Sequence, residues 1–143
     1  MKRTLNIALA ALAVAATLSL VAASDALASG GCSNKTLSGN YGATIIGNVS
    51  GLPLAELDLV SADGKGNFTS GSGTLSFNGS ISTFTFTGTY TINSDCSGSA
   101  SLSTGVTQNL VIKADGSEVM FIGTNDPSAQ VTGNAKRLNG DGD

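Results

Sequence analysis

Residues 80–93, with the sequence SISTFTFTGTYTIN, decide the fold class of this chain. Alternate positions of the stretch belong to two contrasting sets. The first set is Phe84, Phe86, Gly88, Tyr90 and Ile92, and the second is Thr83, Thr85, Thr87, Thr89 and Thr91. Because successive side chains of a β-strand point to opposite faces, this pattern is typical of a long strand with one buried face and one face in water.

The same alternation recurs on both sides of this strand, and no window shows a sustained helical period of apolar residues. Clusters rich in Gly, Asn, Asp and Ser, such as residues 63–67, separate the runs and predict tight turns. The apolar phase shifts between Phe68 and Leu75, which predicts a β-bulge near Gly71 and Gly73. The predicted strands span about residues 39–49, 55–61, 67–77, 80–93, 99–103, 106–113, 118–124 and 129–138.

Eight short strands joined by short turns predict an antiparallel meander. Such a meander can close on itself without free edges, and its interior then holds packed side chains or one small ligand. A two-sheet β-sandwich is the alternative, although Greek-key sandwiches need some long connections. The predicted fold class is therefore all-β, an eight-stranded antiparallel up-and-down barrel.

The composition narrows the possible functions. The chain has 143 residues, enough for one domain, and 41 % of them are hydrophobic, enough to bury a core. It contains no histidine, which removes Ser-His-Asp and Cys-His nucleophiles, haem ligation and most zinc sites. A net charge of −3 argues against binding nucleic acid through its phosphates. No cofactor and no metal site are expected.

The N-terminus has the pattern of a secretory signal peptide. The chain starts with the cationic MKR, continues with an apolar run over residues 5–23 and reaches the small-residue pattern Ala26-x-Ala28. These features predict a helical signal peptide over 1–28, a periplasmic or extracellular barrel domain over 29–138 and a disordered tail over 139–143. A retained membrane anchor and a lipoprotein lipidated at Cys32 are the alternatives. No later apolar run is long enough to span a membrane.

Cys32 and Cys96 are the only cysteines in the chain. In an exported protein two cysteines favour a disulfide, because the compartment is oxidising. A redox or metal-binding pair is the alternative, but the chain has neither a CxxC spacing nor a histidine.

Several spaced motifs resemble those of a family of small exported bacterial β proteins of the acidobacterial type. They are Cys32 followed by LSGNYG at 37–42, DGKGNF at 63–68, GTYTINSDCSG at 88–98 and a closing G-x-A-x-R at 133–137. The resemblance spans most of residues 32–138 and implies a lone β domain with paired cysteines, but no catalytic residues to carry over. At the level of fold alone, the chain is also similar to allene oxide cyclase-like and dirigent-like barrels, which enclose an apolar cavity.

Two groups of charged residues are candidates for acid–base chemistry or calcium binding. Glu56 and Asp58 lie on one face of a strand about 7 Å apart, a spacing that suits acid–base chemistry. Leu57 and Leu59 are assigned to the inner face, however, which places the two carboxylates in water. Residues 63–67 superficially resemble a calcium loop, but Lys65 occupies a ligand position, so a plain hairpin turn is predicted.

The aromatic residues are the strongest candidates for a site. We predict that one cavity is lined by Tyr41, Phe84, Phe86, Tyr90 and Phe121. The first functional hypothesis is a secreted, non-catalytic module that binds a small hydrophobic or amphipathic ligand there. The alternative is a structural or surface-interaction protein with a fully packed core and a Thr-rich exterior. A cofactor-free cyclase or isomerase is the third hypothesis, on fold analogy alone.

Overall fold

The alternating pattern forms eight antiparallel strands, which pair in chain order into a closed barrel. The structure, a computed structural model, describes residues 31–138. The strands are β1 Ser38–Val49, β2 Leu52–Asp63, β3 Asn67–Phe77, β4 Ser80–Ile92, β5 Ser97–Leu102, β6 Thr107–Ile112, β7 Glu118–Gly123 and β8 Ala129–Arg137. This topology confirms the up-and-down barrel and not the two-sheet sandwich.

The barrel closes between β1 and β8, the first and last strands. They pair in one continuous antiparallel register of nine residue pairs. At Gly47 of β1 the two backbones lie so close that a Cβ would collide with the carbonyl oxygen of Gln130 and lie 2.8 Å from the Cα of Val131. A residue without a side chain is therefore needed at this point of the closure.

All eight predicted strands are present, with ends that differ by a few residues. β2 begins at Leu52, earlier than predicted, because Pro53 is tolerated near the start of a strand. The carbonyl of Pro53 accepts a hydrogen bond from the N–H of Asn78 at 2.9 Å. The 3₁₀ turn Asn34–Thr36, before β1, is an additional element that strand periodicity does not reveal.

The predicted bulge lies in β3. The pairing of β3 with β4 shifts in register between Phe68 and Gly71. The shift changes which positions face inward. Phe68 and Leu75 therefore both reach the barrel interior, although their positions in the chain differ by an odd number. Phe68 packs against the ring of Tyr90 with 4.9 Å between the ring centroids.

A short segment covers one end of the barrel, which we call the closed end. Residues 31–37 cross it, held by the disulfide between Cys32 and Cys96. The side-chain oxygen of Asn34 accepts a hydrogen bond from the N–H of Ile92 at 2.8 Å, and the N–H of Cys32 donates to the carbonyl of Ser94 at 3.2 Å. The disulfide predicted from the sequence is thus present.

Two buried tyrosine hydroxyls fasten the strands to this closed end. Tyr41 donates to the carbonyl of Gly116 at 2.8 Å, and Tyr90 donates to the carbonyl of Leu37 at 2.6 Å. The guanidinium of Arg137 donates to the Tyr41 hydroxyl and lies 5.7 Å from the centroid of its ring. Both tyrosines therefore satisfy their polar atoms inside an apolar cluster.

The predicted orientation of β2 is wrong. Leu57 is 64 % exposed and Leu59 is 50 % exposed, whereas Glu56 and Asp58 point into the barrel. The register explains the reversal, because residues paired across two strands share a face and Asp58 lies opposite the buried Ala43 of β1.

The predicted signal peptide and the predicted C-terminal tail lie outside the described residues. Within residues 31–138, no helix is long and apolar enough to cross a membrane.

Candidate ligand cavity

The barrel encloses a cavity of about 380 Å³. Its deep wall, next to the closed end, is buried and includes Tyr41, Ala43, Ile45, Leu110, Val119 and Ala135. Its outer wall is half-buried and consists of Val49, Leu54, Leu75, Leu102, Val106 and Val131. This gradient of burial indicates that the cavity opens at the opposite end, near the β5–β6 and β7–β8 turns, where Thr104 and Asn125 form part of the rim.

Four of the five aromatic residues predicted from the sequence line this cavity. They are Tyr41, Phe84, Phe86 and Phe121. The rings of Phe84 and Phe86 stack with their centroids 5.9 Å apart. Tyr90 does not belong to the lining; it packs beside Phe68 in the closed end.

Glycines on neighbouring strands make room for the inward-facing rings. A Cβ on Gly133 would collide with the ring of Phe121, and a Cβ on Gly71 would collide with the ring of Phe86. Each ring therefore lies flat over the backbone of the adjacent strand instead of filling the centre of the barrel. This arrangement keeps the interior open although the chain is rich in apolar residues.

The main feature that the sequence interpretation missed is a pair of carboxyl groups in the cavity wall. Glu56 and Asp58 both line the cavity, close enough for protonated Glu56 to donate a hydrogen bond to the Asp58 carboxylate. Asp58 is only 8 % exposed, and its Oδ1 has no hydrogen-bond partner. That oxygen lies over the backbone of Gly73, in space that a side chain at this position would fill.

The apolar surroundings change the ionisation of this pair. Burial, followed by the hydrogen bond and the repulsion from Asp58, raises the pKa of Glu56 to about 8. Burial also raises the pKa of Asp58, although the hydrogen bond from Glu56 opposes this effect. The two groups titrate together, so Glu56 keeps its proton at neutral pH and the pair carries less than two negative charges.

No Lys or Arg side chain pairs with these carboxyls inside the cavity. The cations among residues 31–138 are Lys35, Lys65, Lys113, Lys136 and Arg137, and none of them belongs to the lining. Arg137 is instead engaged at the closed end, where it donates to the carbonyl of Thr36 at 2.9 Å. Besides the two carboxyls, the polar side chains of Thr104, Gln108 and Asn125 belong to the lining, whereas the Tyr41 hydroxyl is bonded to Gly116 at the closed end.

The turn over residues 63–67 behaves as the predicted hairpin. The Asp63 carboxylate accepts hydrogen bonds from the backbone N–H groups of Lys65 at 2.7 Å and Asn67 at 2.9 Å. These bonds, with one from the Asn67 side chain, lower the pKa of Asp63 to about 2. Its oxygens are therefore occupied in stabilising the turn.

No group of three or more potential metal ligands occurs within the described part of the chain.

Comparison with known proteins supports the fold. The chain is similar to a solved structure of a redesigned β-barrel, with a TM-score of 0.50 and 15 % sequence identity, over 74 % of this chain and 95 % of that chain. At that identity the likeness shows the barrel fold alone. No protein-family model and no curated protein matches the chain. The resemblance to exported bacterial β proteins therefore stays a prediction from the motifs.

Proposed function

We propose that this protein is an exported, non-catalytic binding protein that holds one small hydrophobic or amphipathic molecule inside its barrel. The observation that carries the proposal is the cavity of about 380 Å³ with its mostly apolar wall. Ligand sites of this kind are concave and apolar, with a few polar groups that orient the ligand, and their volumes begin at roughly 300 Å³. A cavity of this size favours ligand binding over a structural protein with a fully packed core.

Export is supported by two separate features. The N-terminus has the charge, apolar run and cleavage pattern of a signal peptide. The two cysteines form a disulfide, a bond that persists mainly in oxidising compartments. We expect protein recovered from outside the cytoplasm to begin at Ser29 and to weigh two hydrogen atoms less than the reduced chain, as measured by intact mass spectrometry.

Binding is tested with a neutral apolar probe, N-phenyl-1-naphthylamine, whose fluorescence rises in apolar surroundings. The wild-type protein is expected to bind it saturably with one probe per chain. Val131→Trp places a large ring in the outer cavity wall, in space that the probe would occupy. The dissociation constant of the probe is therefore expected to rise at least about ten-fold, because the probe loses roughly one buried ring contact.

The matched control is Val111→Trp, the same substitution on the outside of the barrel, where Val111 is 52 % exposed. Its affinity for the probe should equal that of the wild type. Equal affinity in all three proteins would place the probe on the outer surface and refute the proposed function. Circular dichroism confirms beforehand that both variants fold.

The carboxyl pair favours one second candidate, a cofactor-free isomerase or cyclase. A carboxyl group with a pKa near the working pH, such as Glu56, is suited to general acid–base catalysis inside a mostly apolar cavity. The readout that separates the candidates is the fate of the ligand. A binding protein releases its ligand chemically unchanged, whereas an isomerase releases a rearranged product, and Glu56→Gln abolishes that conversion.

A further inference from the structure

We propose that the Glu56–Asp58 pair makes this cavity selective for small amphipathic amines, with the ammonium group bound at the carboxyls and the apolar body against the aromatic wall. This inference rests on the proposed function and narrows it to one chemical class. It is carried by an unsatisfied buried oxygen, an acidic lining without a cation and the position of an aromatic ring.

The unsatisfied oxygen is Oδ1 of Asp58. It belongs to a side chain that is 8 % exposed, and it makes no hydrogen bond within the described residues. A buried carboxylate oxygen without a donor costs free energy, so natural proteins rarely retain one without a reason. A ligand with N–H donors would satisfy it, and an ammonium group offers three such donors.

The acidic lining, which contains no cation, favours a cation over a neutral donor. The ionisable side chains of the lining are Glu56, Asp58 and Tyr41, and none of them is a cation. β1 and β3, the strands on either side of β2, place Ala43 and Gly73 opposite Asp58, and Ile45 and Leu75 opposite Glu56. No neighbouring strand therefore supplies a positive charge, and a cationic ligand would make charge-assisted hydrogen bonds that are stronger than neutral ones.

The aromatic wall completes the site. A Cβ on Gly73 would meet both Oδ1 of Asp58 and the ring of Phe84, so these two groups lie next to each other. An ammonium group beside Asp58 would also be close to this ring, whose face attracts cations. Phe84 stacks on Phe86, which extends the apolar surface available to the rest of the ligand.

Protonation links the affinity to pH. An ammonium group near the pair favours the ionised carboxyls and so releases the proton that Glu56 holds at neutral pH. Alkylamines remain protonated up to about pH 10. The affinity for an amine should therefore rise from about pH 6 to about pH 8.5, whereas the affinity for a neutral analogue should not.

The test compares 4-phenylbutylamine with 4-phenyl-1-butanol, its neutral analogue, by isothermal titration calorimetry on the oxidised mature protein. At pH 8 we expect the amine to bind at least about ten-fold more tightly than the alcohol. Glu56→Gln/Asp58→Asn, which keeps the shape of the wall, should reduce this ratio to near one and leave the alcohol unaffected. Glu118→Gln is the matched control, since Glu118 is bonded to Asn134 and does not line the cavity.

The possible outcomes separate this inference from the proposed function. Equal affinities for amine and alcohol, or a preference that persists in the double variant, would overturn amine selectivity while the cavity remains a binding site. If N-phenyl-1-naphthylamine also fails to bind, the proposed function is wrong as well. Should the double variant not fold, the preference of the wild type for the amine and its pH dependence decide the question.

Discussion

Removing the Cys32–Cys96 disulfide is expected to lower the free energy of unfolding by about 4 kcal/mol. The bond joins residues 64 positions apart, and closing a loop of that size in the unfolded chain accounts for a loss of roughly this magnitude. A small domain has a total stability of about 5–15 kcal/mol, so the double variant Cys32→Ala/Cys96→Ala would lie near the limit of folding. Urea unfolding of the oxidised wild type and of the variant measures the difference.

Reduction supplies the control for this prediction. Dithiothreitol should destabilise the wild type by about the same 4 kcal/mol and leave the double variant unchanged. Agreement between the two measurements would show that the cross-link, and not the packing of the buried Cys32 side chain, provides the stability. A loss below about 1 kcal/mol in both experiments would contradict the prediction.

The loss of stability that follows removal of the disulfide should not be uniform across the barrel. The disulfide holds the segment at the closed end. There the carbonyl of Leu37 accepts a hydrogen bond from the Tyr90 hydroxyl, and the carbonyl of Thr36 accepts one from the Arg137 guanidinium. The strands at the open end have no such cover among residues 31–138. Loss of the disulfide is therefore expected to loosen the deep wall of the cavity first, and hydrogen exchange would detect this at Tyr41 and its neighbours on β1.

The fold could be predicted from the sequence because the strands have contrasting faces and clear turns. In β4 an aromatic face alternates with a threonine face, and the glycine-rich turns leave little room for another assignment. The shift in phase between Phe68 and Leu75 also located the bulge. The 3₁₀ turn at Asn34 was missed because a three-residue element has no periodicity to detect.

The orientation of β2 could not be predicted, because this strand is apolar on both faces. Leu57 and Leu59 lie on one face, and Leu54, Val60 and Ala62 lie on the other. Glu56 and Asp58 lie on the same face as Leu54, Val60 and Ala62. Because charged side chains usually face water, the face with Leu57 and Leu59 was the better candidate for the core. Pairing with β1 and β3 decides the question in the folded protein, and local hydrophobicity contains no information about that pairing.

That orientation also explains why the candidate site was only partly predicted. Aromatic residues are reliable markers of an interior, and four of the five lie in the cavity wall. A buried carboxyl pair contradicts the usual preference of charged residues for water, so pattern analysis places it outside. Positions that contradict local rules in this way are often functional, since their cost in stability must be offset by a selected benefit.

The cost in stability of the carboxyl pair is expected to appear as a pH dependence. The pKa of Glu56 is about 8 in the folded protein, against an ordinary value of 4.5. Between these values the unfolded chain loses a proton that the folded chain keeps, so the free energy of unfolding falls as the pH rises from about 5 to about 8. The expected loss is about 1–2 kcal/mol, after a discount for the solvent that reaches the partly exposed Glu56.

At acidic pH the aspartates of the turns make the free energy of unfolding rise with pH, opposite to the effect of the carboxyl pair. Hydrogen bonds lower the pKa of Asp63 to about 2, so its contribution is complete above the ordinary value of 3.8 and disappears as the pH falls through 2. The carboxyl groups of Asp95, Asp115 and Asp126 also have lowered pKa values, each because a serine hydroxyl two residues later donates to it. Stability should therefore be greatest at about pH 4–5.

Urea unfolding at a series of pH values checks both slopes. The absence of histidine makes the experiment clean, because no other side-chain type ordinarily titrates between about pH 5 and pH 8. Glu56→Gln should reduce the loss over this range, and Glu56→Gln/Asp58→Asn should remove it. Stability that is flat or rising from pH 5 to pH 8 in the wild type would show that the pair is not held in an apolar wall. The amine preference inferred above would then lose its physical basis, because it depends on the same buried carboxyls.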